Sequence, residues 1–380
     1  MNQAVPIQSQ CQPQSQLKSS TDTVIIQSIK KHLSYLIGQD TCNPPRNIKF
    51  NDPIFVGLEA FFKAQNFTVT MADFGEGHVA FYAVRGKPAV LFNVHLDTVP
   101  VTEGWQFDPF TLTESQGRYY GRGACDIKGG AACLMALAES IDQDMAVLFT
   151  TDEEGTNNCC IKHFIEGHDL RVYQQVIVAE PTQCLAITEH RGYVSAHGHF
   201  SGSSGHSSSI QAHKGNAVHQ ANQWLTHALQ TAESQQSKIN PTGVCFNLGY
   251  IKGGEKNNMI AADCQLGFSI RVPAGLSSTL TYQSFIDGYE AQAQWHCSLS
   301  APALPEQLSG NEQAILFCQQ HNLQQGEAVD FWTEASLFSQ AGMPALVLGP
   351  GDIAQAHTVD EWVAIDQLLL CYRIYQGILS

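Results

Sequence analysis

Acids and histidines in this chain fall just past the ends of short apolar runs. The run 89–94 leads into His95 and Asp97, 145–150 into Asp152, Glu153 and Glu154, and 176–179 into Glu180. Near the C-terminus, 345–348 leads through Gly349, Pro350 and Gly351 to His357. A further acid, Asp126, sits in the glycine-rich stretch 121–130 at the mouth of a helix-like segment. Apolar runs this short read as buried strands of an α/β sheet. Ligand sites in such sheets form beyond the carboxyl ends of the strands. Two histidines and three or four acids meeting there suit a pair of divalent cations, the equipment of a metallohydrolase.

Each residue also has a plainer reading. His95 and Asp97 stand two apart, so in an extended segment both face one side. A carboxylate there can accept the second ring N–H of a metal-binding imidazole and fix its tautomer; alternatively this is a strand-end histidine beside an unrelated acid. The glycines around Asp126 permit unusual backbone angles, and a carboxylate so placed could bridge two cations. A dinucleotide fingerprint fails, because its third glycine would fall on Asp126. The triplet Asp152-Glu153-Glu154 is either a solvated loop or, next to a cation, a divided pair of glutamates. One would ligate while its neighbour stays free as a general base. The stretch from Gly202 to His206 lacks a nucleophile elbow and reads as a flexible loop presenting His206, or as a simple turn. Cys125 lies beside an acid that would raise its pKa, so a packed thiol suits it better than a nucleophile.

Positioning these groups takes a sheet and its helices. A helix is expected from about Asp22 through Ile25, Ile29, Leu33 and Leu36, a second at 55–64, and strands at 68–71 and 79–85. Strand and helix alternate up to Glu180, as in a three-layer α/β domain. From Gly192 the pattern becomes strand 193–200, helix 216–232, strands 244–251 and 265–272, helix 276–289 and strand 293–298. That βαββαβ order is a ferredoxin-like unit. After Leu304 a helix at 311–321 and a strand at 344–348 resume, with the last histidine beyond them. The unit therefore reads as a lid at 192–303 inserted into a catalytic domain made of 22–191 and 304–380. Ahead of it, 1–21 reads as a disordered tail rich in Gln and Ser.

Bulk properties narrow the class. A length of 380 residues suits two domains, and 43% hydrophobic with 14% charged residues suits globular packing. A net charge of −15 argues against nucleic acid or an anionic membrane as partner. No apolar run approaches the ~18 residues of a membrane span. The twelve cysteines are scattered without a CxxC pair. No secretory leader opens the sequence, so reduced thiols in the cytoplasm are expected.

Several segments together resemble the dinuclear-zinc M20 metallopeptidase and amidohydrolase family. They are Asn93-Val94-His95-Leu96-Asp97-Thr98-Val99-Pro100, Cys125-Asp126-Ile127-Lys128-Gly129, Thr151-Asp152-Glu153-Glu154-Gly155, Ala179-Glu180-Pro181-Thr182 and Ser204-Gly205-His206-Ser207-Ser208. The strings at 329–336, containing Thr333-Glu334-Ala335, and at 348–357 are similar to the family's acetylornithine and acetylcitrulline deacetylases. The resemblance implies a three-layer zinc-peptidase domain carrying a ferredoxin-like lid and dimerisation domain. It implies one zinc on His95, Asp126 and Glu180 and another on Asp126, Glu154 and His357, with cobalt able to substitute. Glu153 would be the general acid/base, Asp97 the buttress of His95, and His206 an oxyanion donor, often in the neighbouring protomer's site. Asn258 and Arg271 would bind the substrate's α-carboxylate, and Glu334 would select its side chain. A non-proline cis peptide is expected at Asp126–Ile127. Ala261 departs from the family, which usually has proline there. The implied reaction is deacetylation of an N-acetyl amino acid in arginine biosynthesis by a cytoplasmic homodimer. A desuccinylase, a dipeptidase and a catalytically silent metal-binding scaffold are the alternatives.

Overall fold

The computed structural model describes residues 19–45, 48–155, 159–235, 243–290, 292–308 and 311–380. Helix α1 (Ser20–Ile37) opens on a reciprocal cap, in which the Ser19 hydroxyl accepts from Asp22 N and the Asp22 carboxylate accepts from Ser19 N. The cap starts the helix ahead of Asp22; of the expected tail, residues 1–18 lie outside the described residues. Buried Ile25, Ile29, Leu33 and Leu36 form the stripe that faces the core. Helix α2 (Pro53–Ala64) has proline in its first turn, where no N–H is needed.

Strands β1 (Thr68–Asp73) and β2 (Val79–Arg85) form an antiparallel hairpin, followed by the buried strand β3 (Val90–His95). The short strands β4 (Thr113–Ser115) and β5 (Arg118–Tyr120) precede helix α3 (Lys128–Ser140), strand β6 (Met145–Thr150), helix α4 (Cys159–Gly167) and strand β7 (Gln175–Val178). Between β7 and the chain's final third lies a second unit. It contains β8 (Gly192–Ser201), β9 (Gly205–His206), α5 (Ala217–Ser234), β10 (Cys245–Gly253), β11 (Met259–Ile260), β12 (Asp263–Val272), α6 (Ser278–Ile286) and β13 (Ala293–Ala301). Then come α7 (Glu312–Gln320), α8 (Ala335–Gln340), β14 (Ala345–Val347), β15 (Trp362–Ala364) and α9 (Ile365–Leu379).

The main sheet runs β1-β2-β6-β3-β7-β14. Its four strands β6, β3, β7 and β14 are mutually parallel neighbours. One face packs on α1, α2, α3 and α9, the other on α4 and α8, which makes three layers. Small residues let α3 press close: a Cβ on Gly130 would meet Ala179 O at 3.0 Å. Sequence periodicity left α9 and the three-stranded β15-β5-β4 sheet unannounced. Strands of three residues are too short to show alternation.

In the second unit β10, β12, β8 and β13 form one antiparallel sheet in that order. Helices α5 and α6 cover one face around Trp224, whose indole N–H donates to Phe285 O at 2.9 Å. The segment expected to be a loop presenting His206 is irregular at 202–204, and its last two residues, Gly205 and His206, pair with β11.

The chain passes between the units at His190, which exchanges backbone hydrogen bonds with Leu304 (His190 N to Leu304 O 2.9 Å, the return bond 3.0 Å). Its Nδ1–H donates to Arg191 O and its Nε2 accepts from Thr333 Oγ1, each at 3.0 Å. Burial pushes its pKa down to about 4, against the upward pull of the backbone carbonyls of Arg191 and Thr333. Since the unfolded chain takes up this proton near pH 6.5 and the folded chain near 4, stability falls as pH drops through that window. The slope reaches ~1.4 kcal/mol per pH unit. His190→Asn should flatten the pH dependence of unfolding there by up to one proton in urea titrations; equal slopes would discard the point.

Among the described residues all eleven cysteines are free thiols, and no helix is long and apolar enough to cross a membrane.

Candidate functional site

Because β6, β3, β7 and β14 lie side by side and parallel, their carboxyl ends open on one edge of the sheet. His95 is the last residue of β3, directly opposite Thr150 at the end of β6. The acids 152–154 follow β6, Glu180 follows β7 and His357 lies beyond β14. The turn entering α3 brings Asp126 to the same edge, with a cis peptide between Asp126 and Ile127. Gly349 is required where the β14 exit crosses the β7 exit: a Cβ there would lie 2.2 Å from Ala179 O.

His95 Nδ1 donates to the Asp97 carbonyl at 2.9 Å, with the Asp97 carboxylate farther off at 3.4 Å. The ring's tautomer is therefore held chiefly by a backbone oxygen. Nε2 then faces Asp126 Oδ1 at 3.1 Å and Glu180 Oε1 at 3.5 Å. The other Asp126 oxygen, Oδ2, lies 3.2 Å from His357 Nε2, which is 3.1 Å from Glu154 Oε1. One carboxylate thus turns one oxygen to each of two donor groups, His95–Asp126–Glu180 and Asp126–Glu154–His357. Within each group the ligand atoms lie within 4.8 Å of one another. An imidazole and two carboxylates per group is a donor set for a divalent ion such as zinc. Asp97 Oδ2 accepts from Glu154 N at 3.0 Å, so this acid ties both groups together from behind.

The local field favours added positive charge. Burial, then the charges of Glu154, Glu180 and Asp126, push the Glu153 carboxyl well above the usual range, although His95 pulls the other way. Burial and Asp126 do the same to Glu180. His357 is raised to about 10 by its hydrogen bonds to Asp126 and Glu154. Burial would raise Asp126 too, but hydrogen bonds from His357 and His95 outweigh it and hold this acid below its usual range. Two cations among these groups would meet that demand.

The acid triplet divides into three settings. Asp152 Oδ2 accepts from Cys160 N at 2.9 Å and from Cys159 N, capping α4. Glu154 turns to His357, and Glu153 lies half-buried between them without a place in either donor group. The loop is pinned by Asn43, whose amide donates to Thr151 O at 2.6 Å, and by the Thr151 hydroxyl, which donates to Gly77 O at 2.6 Å. Cys125 is a buried thiol donating to Asp352 O at 3.3 Å, and its pKa is pushed far up by burial and by Glu361.

Other expected site residues stand apart. Glu334 is fully buried, accepting from Thr150 Oγ1 at 3.1 Å through Oε2, while Oε1 has no hydrogen-bond partner among the described residues. Burial and Asp152 raise it to about 8. His206 is exposed on β9, its Nδ1 2.8 Å from Ser208 Oγ. Asn258 is exposed, and its carbonyl accepts from Ser207 N at 3.1 Å. Arg271, on β12, holds its guanidinium 4.1 Å over the Tyr193 ring. Among the described residues, none of these last three hydrogen-bonds to the two donor groups. Glu361 and Arg122, which no motif in the sequence singled out, are buried behind Asp126.

The sequence profile of peptidase family M20/M25/M40 matches residues 91–380. The chain is 43% identical over 358 residues to an N-acetyl-L-citrulline deacetylase of Xanthomonas campestris pv. campestris, covering 91% of this chain and 96% of that one. It is 34% identical over 299 residues to an acetylornithine deacetylase of Proteus mirabilis, covering 73% and 75%. The fold is similar to that of aminopeptidase PepT from Bacillus cereus, with a TM-score of 0.70 at 14% identity, covering 93% of this chain and 98% of that one.

Proposed function

The chain belongs to peptidase family M20/M25/M40 and is a metal-dependent amide hydrolase, and from that premise we propose that it deacetylates an N-α-acetyl amino acid. N-acetyl-L-citrulline is the preferred substrate and N-acetyl-L-ornithine the second, since identity is higher to the citrulline enzyme. The observation that carries the mechanism is Asp126, with one oxygen toward each histidine. His95, Asp126 and Glu180 would hold one zinc and Asp126, Glu154 and His357 the other, cobalt being an acceptable replacement. Such a pair lowers the pKa of water and polarises the amide carbonyl.

The remaining work falls to side chains. Glu153, beside both donor groups and in neither, takes the proton of the attacking water and hands it to the leaving nitrogen. Asp97 keeps the His95 ring in place. Arg271 grips the substrate's α-carboxylate through paired hydrogen bonds, with Asn258 beside it. Glu334 acts on side-chain choice from beneath the site rather than by open contact, given its burial. His206 donates to the oxyanion in the active site of a second copy, within a homodimer formed through the lid. In this reading residues 192–303 are the lid and 22–191 with 304–380 the catalytic domain. The reaction gives acetate and a free amino acid for arginine biosynthesis, in the cytoplasm.

The test is acetate release from N-acetyl-L-citrulline and N-acetyl-L-ornithine side by side, on protein purified with zinc or cobalt, with and without chelator. Chelator-sensitive release, faster from the citrulline derivative, is expected. Two bound metals with no release from either would move the reading to a desuccinylase or dipeptidase. Bound metal with no release from any amide would leave a silent metal-binding scaffold, and no metal with no release would break the reading at its base.

A further inference from the structure

The segment carrying His357 is far in sequence from every other donor, and it is held in an unusual shape. His357 and Asp360 both have left-handed backbones, φ 63° and 51°. Neither is glycine, so each is a strained conformation that persists only when its surroundings enforce it. Asp360 is engaged by Gln106 N at 2.8 Å and Phe107 N at 3.2 Å. The stronger hold is one residue on. Glu361, 1% exposed, accepts Cys125 N at 2.9 Å and Asp126 N at 3.0 Å on Oε1, and Arg122 Nη1 at 2.7 Å and Gly123 N at 3.1 Å on Oε2. Its carbonyl accepts from Gly121 N at 3.0 Å. Every hydrogen bond to the carboxylate comes from a donor, two on each oxygen, so all four need it as an acceptor. Immediately after it, β15 pairs with β5, whose last residue precedes Gly121.

Resting on the two-cation reading above, we infer that Glu361 is a positioning residue of the metal centre: its carboxylate sets the distance between the Asp126 turn and the His357 segment. In the group His95–Asp126–Glu180, both His95 and Glu180 stand at strand ends already fixed by the main sheet. The group Asp126–Glu154–His357 has no such frame for its histidine and depends on this clamp. A carboxamide cannot replace the carboxylate, because whichever way it turns its NH2 faces backbone or guanidinium donors. Glu361→Gln should therefore weaken one cation selectively.

Cobalt titration of the metal-free full chain, followed by visible absorption, reads the two affinities separately. His95→Ala and His357→Ala serve as references for which step is which. In Glu361→Gln the step absent from His357→Ala should weaken ten- to hundredfold, the usual effect of an outer-shell change, and the other step by less than about threefold. If Glu361→Gln does not fold, Glu361→Asp, which keeps the charge but shortens the reach, should give the same split. Two unchanged affinities, or both falling by one factor, would overturn the positioning role. Wild-type protein that takes up no cobalt would overturn the two-cation reading beneath it.

Discussion

Glu153→Gln should lose about 10³-fold in kcat, the middle of what one general acid/base contributes, while two metals stay bound. The geometry behind this is the separation of Glu153 from both donor groups, although it sits close enough to Glu154, Glu180 and Asp126 for their charges to push its carboxyl up. The amide keeps the side chain's shape and removes only the ability to take a proton. Metal analysis alongside the rate decides the matter: a variant that also loses metal would make Glu153 a ligand, and one with near-normal turnover would remove it from the chemistry.

Asp126→Ala should abolish turnover by another route, by emptying the site. Each oxygen of this carboxylate serves a different histidine, at 3.1 Å and 3.2 Å, so its loss removes a donor from both groups at once. Bound metal should fall from two per chain to less than one, and added zinc should no longer raise the melting temperature, as binding to the folded state otherwise must. Retention of one tightly held metal would mean the two groups do not share Asp126.

Much of this site was legible in the chain itself. The short apolar runs before His95, Asp152, Glu180 and Gly349 specify buried parallel strands, and the end of such a strand is where a sheet presents ligands. The periodicity at 193–298 likewise carries the βαββαβ order that the second sheet adopts. The acid triplet was only partly legible. Three adjacent carboxylates look alike in sequence, yet Asp152 caps α4, Glu154 turns to His357 and Glu153 stands between them. Which way each side chain points depends on the path of the loop, and that path is set by distant groups such as Asn43 and Gly77.

What the sequence determined by itself is the chemistry available and the elements that carry it, because residue type and hydrophobic spacing are local properties. What only the tertiary structure decided is assembly. The β6-β3-β7-β14 order lines up four strand ends, His95 takes its tautomer from the Asp97 carbonyl, and Glu361 binds the C-terminal segment to the Asp126 turn. The bonds of Glu361 join residues 235 to 239 positions apart. Their energy comes from burial and hydrogen-bond geometry that no window of sequence contains.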